Sequence, residues 1–368
     1  MAKYKNIYVA ASRQHVGKTT STLGLVSGFM HKNINVGYSK PVGQKFLDIN
    51  NLIVDKDTVL FADLISFDLV PDLHSPVILG KGATSKFLDD PEAVDLEARI
   101  VQAEEKLSEL HDLVIYEGTG HPGVGSVAGL SNAKVAKLLN AGVVMVIEGG
   151  IGSTIDMLNM CLSLFREHEV EIIGVIINKV RQDKIDKVQK YVGKWLEQQN
   201  LPLLGVIPYD QTLAYPLVST IAKAVEGTII FNADHATNKV DNILAGSLID
   251  LQELKGSSDQ LLVVSTRAIN DAIKKIDQLV KQHNFSETPL AGIVATGSGN
   301  IESDTLKYIE ENNLPLIRTN LDTYGCVVKI SKIEVKINRK TPWKVIKAIS
   351  LIRDNVAFDK ILEGRERL

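Results

Sequence analysis

Through about the first 200 residues, short runs of consecutive apolar positions alternate with longer stretches whose apolar residues recur at helical spacing. The runs at 6–11, 36–39, 113–116, 143–147, 172–177 and 203–207 predict strands. Most are apolar at every position rather than every second one, as in strands covered on both faces. Helix-period stretches at 19–31, 95–109, 132–139, 153–168 and 184–199 lie between them. Strict alternation of strand and helix predicts an α/β fold with a parallel, doubly wound sheet. In such sheets ligands sit at the carboxyl ends of the strands, so each loop after a strand is a candidate site.

The rhythm breaks over 210–227 and then restarts, with strands predicted at 227–231, 261–265, 290–295 and 314–318. Helices are predicted at 267–283, 303–312 and 342–354. The reading is two domains, 1–216 and a smaller α/β unit 217–368, in a chain long enough for two cores.

Composition adds mainly exclusions. A net charge of −3 with 23% charged residues gives no electrostatic argument for nucleic acid or an anionic membrane. Cys161 and Cys326 stand far apart without a second ligand near either, so neither a disulfide framework nor a zinc site is expected. The first strand begins too early for a signal peptide, and no apolar run approaches the ~18 residues of a membrane helix. A soluble, cytoplasmic protein is the expectation.

The strongest chemical signal lies between the first strand and first helix: Ser12-Arg13-Gln14-His15-Val16-Gly17-Lys18-Thr19-Thr20. It fits the phosphate-binding pattern G-x-x-x-x-G-K-[ST] with Ser12 in place of the first glycine. In such a loop backbone N–H groups surround phosphates, here with Lys18 neutralising charge and Thr19 offering its hydroxyl to Mg²⁺. The following helix directs its positive dipole end at the same anion. Ser12 has to accept backbone geometry that glycine usually supplies, so an altered loop shape or weaker binding is expected.

Other strand-end loops carry matching groups. Lys40 stands at the mouth of the second strand, where a phosphate or carboxylate would suit it. Asp57 precedes a helical run at 58–65 and reads either as an N-cap or as a Mg²⁺ ligand. Glu117 closes the strand 113–116 and opens a loop with four glycines, Gly118, Gly120, Gly123 and Gly125. An acid there, beside the phosphate loop, is where these folds hold Mg²⁺. His121 in that loop has no evident partner. After the next strand, Glu148-Gly149-Gly150-Ile151-Gly152 leads to Ser153 or Thr154 as a helix cap, and Asn178 ends the strand 172–177.

Together these residues resemble the dethiobiotin synthetase-like branch of P-loop proteins, which includes cobyrinic acid amide synthetases. The likeness covers residues 2–216 and rests on the phosphate loop, Lys40-Pro41-Val42, Asp57, Glu117-Gly118-Thr119-Gly120 and Asn178. It implies an ATP (or other purine nucleoside triphosphate) site with Mg²⁺. Lys18 and Lys40 would lie on phosphate or a substrate carboxylate, Thr19, Asp57 and Glu117 around the metal, and Asn178 on the adenine side. It also implies a homodimer. The chain is more closely similar to the amino-terminal half of long bacterial phosphotransacetylases, where such a domain precedes a DRTGG domain. Here Thr266-Arg267 and Thr296-Gly297-Ser298 stand where that domain has Asp-Arg and Thr-Gly-Gly. No acetyltransferase portion follows within the 368 residues, and Cys326 has no histidine partner for glutamine-driven amidation. Three functions remain: an ATPase-type regulatory or sensing module, with Lys18, Lys40 and Glu117 as its catalytic groups; an ATP-dependent ligase that phosphorylates a small carboxylate; and a non-catalytic nucleotide-binding protein.

Overall fold

The computed structural model describes residues 4–49, 52–246, 249, 254, 258–363 and 365. It has two compact units, Met1–Asp210 with Ile337–Leu368, and Gln211–Lys336.

The first unit is built on a six-stranded sheet, parallel throughout, in the order Leu203–Pro208, Ile172–Val180, Ala141–Glu148, Asn6–Ala11, Leu113–Glu117, Val36–Ser39. The continuous apolar runs are explained by burial on both faces: Ile7, Val9, Val114, Ile115, Val143, Val144, Val175 and Ile176 are all fully buried. Each predicted strand is present, several one to three residues longer than the apolar run alone indicates. Because the strands are parallel, Ala11, Ser39, Glu117, Glu148 and Val180 all finish at one edge. Two segments there lie outside the predicted pattern: an antiparallel hairpin of Phe46–Ile49 with Leu52–Asp55, and a short parallel pair of Val42–Gly43 with Val77–Ile78. Phe46, Leu47, Leu52 and Ile53 are all largely exposed, so this hairpin has no in–out alternation to betray it.

The domain boundary needs correcting. The helix Pro342–Asn355, expected in a second domain of 217–368, belongs to the first unit, together with the helix Phe358–Leu362. The reason lies in the first helix, Lys18–His31, whose Gly24 and Gly28 share one face. A Cβ on Gly24 would lie 2.2 Å from Ile352 Cβ, and one on Gly28 would lie 2.2 Å from the Phe358 ring. Phe29 meets Phe358 edge to face at 5.3 Å. The Ala357 N–H donates to Leu204 O at 2.8 Å, and Tyr4 Oη to Ile361 O at 2.6 Å. The returning tail therefore covers both the first helix and the outer strand Leu203–Pro208.

The second unit holds a five-stranded sheet in the order Thr228–Phe231, Leu316–Thr319, Leu290–Thr296, Gln260–Ser265, Asn242–Ala245, with only the first strand antiparallel. Helices Ile269–Gln282 and Ser303–Glu311 cover one face, Val218–Ala224 and Thr323–Ser331 the other. Among the described residues no helix is long and apolar enough to cross a membrane.

Candidate functional site

The loop between Ala11 and Lys18 turns by placing His15 at φ 63° and Gly17 at φ 100°. Ser12 is not in the left-handed region, so the glycine-like backbone geometry expected there is absent: the turn is made further along, at His15 and Gly17. Gly17 does need to be glycine. Beyond its φ, a Cβ there would lie 1.9 Å from Asn178 Nδ2. Asn178 is buried and donates that amide to Val16 O at 2.8 Å, while Lys179 Nζ donates to His15 O. The end of the strand Ile172–Val180 thus props the loop from beneath. Lys18 is the first helical residue, with Gly17 as an N-cap that contributes no side-chain bond. The N–H groups of the first turn are left facing the loop.

Lys18 Nζ reaches Gly120 O at 3.4 Å, and Thr19 Oγ1 donates to Glu117 Oε1 at 2.9 Å. Glu117 arrives there because its strand pairs alongside the first one, Val9 opposite Glu117. Its second oxygen lies 3.5 Å from Tyr38 Oη, and the Tyr38 ring stacks on Phe61 at 3.7 Å. Burial pushes the Glu117 carboxyl up to about 7, with Asp57 adding to the shift and Lys40 and Lys18 opposing it. The folded carboxyl is raised above its unfolded value, so its ionisation costs stability as pH climbs from that value through about 7. Glu117→Gln should therefore make the ligand-free protein about 2 to 3 kcal/mol more stable than wild type near pH 8. The gap should close toward about pH 5, as denaturant melts at several pH values would reveal. A pH-independent difference would contradict this origin.

Lys40 is almost wholly buried and held by two carboxylates, Asp55 Oδ1 at 3.1 Å and Asp57 Oδ2. Burial works against its charge, but Asp57, Asp55 and Glu117 outweigh that and hold it above its ordinary value. The N-cap of the helix Lys56–Ile65 is Asp55, whose Oδ1 accepts the Asp57 N–H at 2.9 Å. Of the two readings of Asp57, the cap therefore passes to its neighbour. Burial also raises the Asp55 carboxyl, with Lys40 opposing and Asp57 adding.

The glycine loop after Glu117 is shaped by Asn132, a residue that the sequence marks only as a helix start. Its Oδ1 accepts from Tyr8 Oη at 2.6 Å and from Thr119 N at 3.0 Å, and its Nδ2 donates to Thr119 O and His121 O. His121 is exposed, and its Nδ1 receives the Gly123 N–H at 3.3 Å, a turn contact. Arg13, on the exposed side of the phosphate loop, pairs with Glu148. Neither Ser153 nor Thr154 caps the next helix, which begins at Gly152 without a side-chain cap; Thr154 Oγ1 donates back to Glu148 O at 2.9 Å.

The structure thus brings Lys18, Thr19, Lys40, Asp57 and Glu117 to one sheet edge around the phosphate loop. Among the described residues no cage of three or more carboxylates, histidines or cysteines is formed. The set fits Mg²⁺, which takes one or two carboxylates, here with a hydroxyl, and completes its shell with phosphate and water. A parallel sheet whose first strand runs through a Gly-Lys-Thr loop into a helix defines a P-loop nucleotide-binding domain.

Residues 5–216 match the AAA_26 family, described as an AAA domain, and the chain belongs to that family. It is 21% identical to the phosphate acetyltransferase of Synechocystis over 97% of this chain and 51% of that protein. Identity is 25% to a probable cobyric acid synthase of Methanococcus vannielii, over 72% of this chain and 57% of the synthase. An ATP-dependent dethiobiotin synthetase of Clostridium kluyveri is 26% identical over 49% of this chain and 76% of its own length. The chain spans about half the length of the phosphate acetyltransferases it matches. Among solved structures, the MinD cell division protein of Aquifex aeolicus is similar over 57% of this chain and 84% of its own, at 14% identity and a TM-score of 0.38. A putative plasmid partition protein of Borrelia burgdorferi bound to AMPPNP overlays on 57% of this chain and 89% of its own, at 16% identity and a TM-score of 0.39.

Proposed function

We propose that this chain is an ATP·Mg²⁺-binding regulatory or sensing ATPase whose nucleotide state controls the second unit. The observation that carries this reading is the Thr19–Glu117 hydrogen bond of 2.9 Å at the mouth of the phosphate loop. It joins the hydroxyl and the carboxylate that would hold Mg²⁺, beside Lys18 and the N–H groups of the first helical turn. Bound Mg²⁺ would supply charge neutralisation at the β- and γ-phosphates. The residues' own part is positioning: the loop backbone fixes the phosphates, Lys18 offsets their charge, and Glu117 with Asp57 fixes the cation side. The regulatory reading is favoured over a ligase by Lys40, already compensated by two aspartates rather than presented to a substrate carboxylate. The second unit serves in this reading as a DRTGG-like sensor, and the protein acts as a cytoplasmic homodimer.

Calorimetry with ATP and ADP, with and without Mg²⁺, tests it. Lys18→Ala should weaken binding by about 100-fold or more, the scale of losing a charge-assisted phosphate contact. Wild type should release phosphate slowly without any added substrate. Failure of wild type to bind nucleotide would end this reading. Hydrolysis that starts only when a small carboxylate is supplied would move the assignment to the ligase.

A further inference from the structure

Two segments singled out in the second unit, Thr266-Arg267 and Thr296-Gly297-Ser298, meet in the fold. Thr266 Oγ1 lies 2.9 Å from Thr296 O and 3.2 Å from Gly297 O. The strands they follow, Gln260–Ser265 and Leu290–Thr296, are parallel, and so is the neighbouring Leu316–Thr319, so all three end at one sheet edge. From Leu290–Thr296 the chain leaves for the helix Ser303–Glu311 on one face of the sheet. From Leu316–Thr319 it leaves for Thr323–Ser331 on the other. Adjacent strands whose exits part in this way have a crevice between them, the place where open α/β sheets bind ligands. Thr296 Oγ1 and Thr323 Oγ1, 3.2 Å apart, span it.

The groups presented beside it are donors. Gly297, at φ 70°, turns the chain, and among the described residues nothing accepts the N–H groups of Ser298, Gly299 and Asn300 that follow. Consecutive free N–H groups at a turn make an anion-binding concavity. Arg318 lies against this run, its guanidinium donating to Gly299 O at 2.8 Å. The Arg318 Nε is buried and has no acceptor among the described residues, a state that calls for a bound group. The nearby acids are engaged elsewhere: Glu302 pairs with Lys274, and Asp322 Oδ1 accepts the Gly325 N–H as a helix cap. A phosphate group offers three strong acceptor oxygens to such a set, where a carboxylate offers two.

We propose that this crevice is the ligand site of the second unit and takes a small phosphate-bearing molecule. Its phosphate oxygens accept from the N–H groups of 298–300 and from Arg318, while the hydroxyls of Thr296 and Thr323 meet its polar remainder. The inference rests on the sensor reading of the second unit above and deepens it by naming the group that is sensed.

The test uses the full chain carrying Lys18→Ala, so that the phosphate loop's own binding is suppressed. Calorimetry and thermal melts compare glycerol 3-phosphate, inorganic phosphate and malonate. A phosphate compound should bind with a Kd of about 1 mM or tighter and raise the melting temperature. Adding Arg318→Met should weaken that binding about tenfold or more and remove the thermal shift. Arg318→Lys keeps the charge without the Nε–H, so it should recover only part of the affinity; it also serves if the methionine variant does not fold. Tighter binding of glycerol 3-phosphate than of inorganic phosphate would support an esterified ligand, and the reverse order the free ion. Malonate binding as tightly as either would overturn the phosphate assignment. Unchanged phosphate affinity in both Arg318 variants would overturn the site, as would no phosphate binding by the Lys18→Ala chain. Nucleotide binding by wild type is measured separately, so failure here leaves the phosphate-loop reading standing.

Discussion

A chain ending at residue 336 is expected not to fold its nucleotide-binding unit, although the whole P-loop motif is retained. The tail removed contains Ala348, Ile352 and Ile361, fully buried, and Leu351, Val356 and Phe358, nearly so. Burial of each large apolar side chain contributes about 1.5–3 kcal/mol. Five of them therefore approach the entire 5–15 kcal/mol stability of an ordinary domain. The loss is compounded on the partner side, because Gly24 and Gly28 have no side chains to cover the face they vacate. The converse deletion should succeed: with 211–336 replaced by a short Gly/Ser linker, the first unit should melt cooperatively and bind nucleotide. Circular dichroism melts and calorimetry on the two proteins decide the matter. A cooperative, nucleotide-binding chain ending at 336 would show the tail to be dispensable.

Lys40→Met should be the most destabilising single change at the site. It leaves Asp55 and Glu117 buried, and Asp57 half-buried, around an apolar side chain. Breaking a buried ion pair by removing one partner costs about 3–5 kcal/mol. The sign of its pH dependence follows from the carboxyls. Asp55 and Glu117 are already raised above their unfolded values with Lys40 present, and Lys40 acts to lower both. Without it they rise further, so the penalty grows as pH rises through the folded values and fades as the groups protonate. The variant should thus be most defective near pH 8 and approach wild type toward about pH 5. Urea titrations across this range would measure it, and a penalty that increases on acidification would refute the account.

Much of this architecture was legible because a parallel sheet buries both faces of every strand. Runs such as 143–147 can then be read as strands without any alternation. The phosphate loop was legible because Gly-Lys-Thr after a strand has few other uses. Three features escaped. The tail's return depends on Gly24 and Gly28; their spacing marks a close-packing face, but nothing in it names Ile352 and Phe358 as occupants. The cap fell to Asp55 rather than Asp57 because either aspartate satisfies the same local rule, and only the end of the strand at Asp55 separates them. The network of Tyr8, Asn132 and Thr119 joins residues more than a hundred positions apart, beyond any local pattern.

The second unit lies, along the chain, between the outer strand of the first sheet and the helix that completes it. During synthesis this order becomes a delay. The strands and the phosphate loop emerge early, but the surface that closes over the first helix is made only after the whole of 211–336. At about 5–20 residues per second, the wait is on the order of ten seconds. Through that interval the second unit, being contiguous, has all it needs to fold, while Phe29 and the Gly24 face of the first remain uncovered. The inserted unit is therefore complete along the chain before the segment that closes over the first helix has been made.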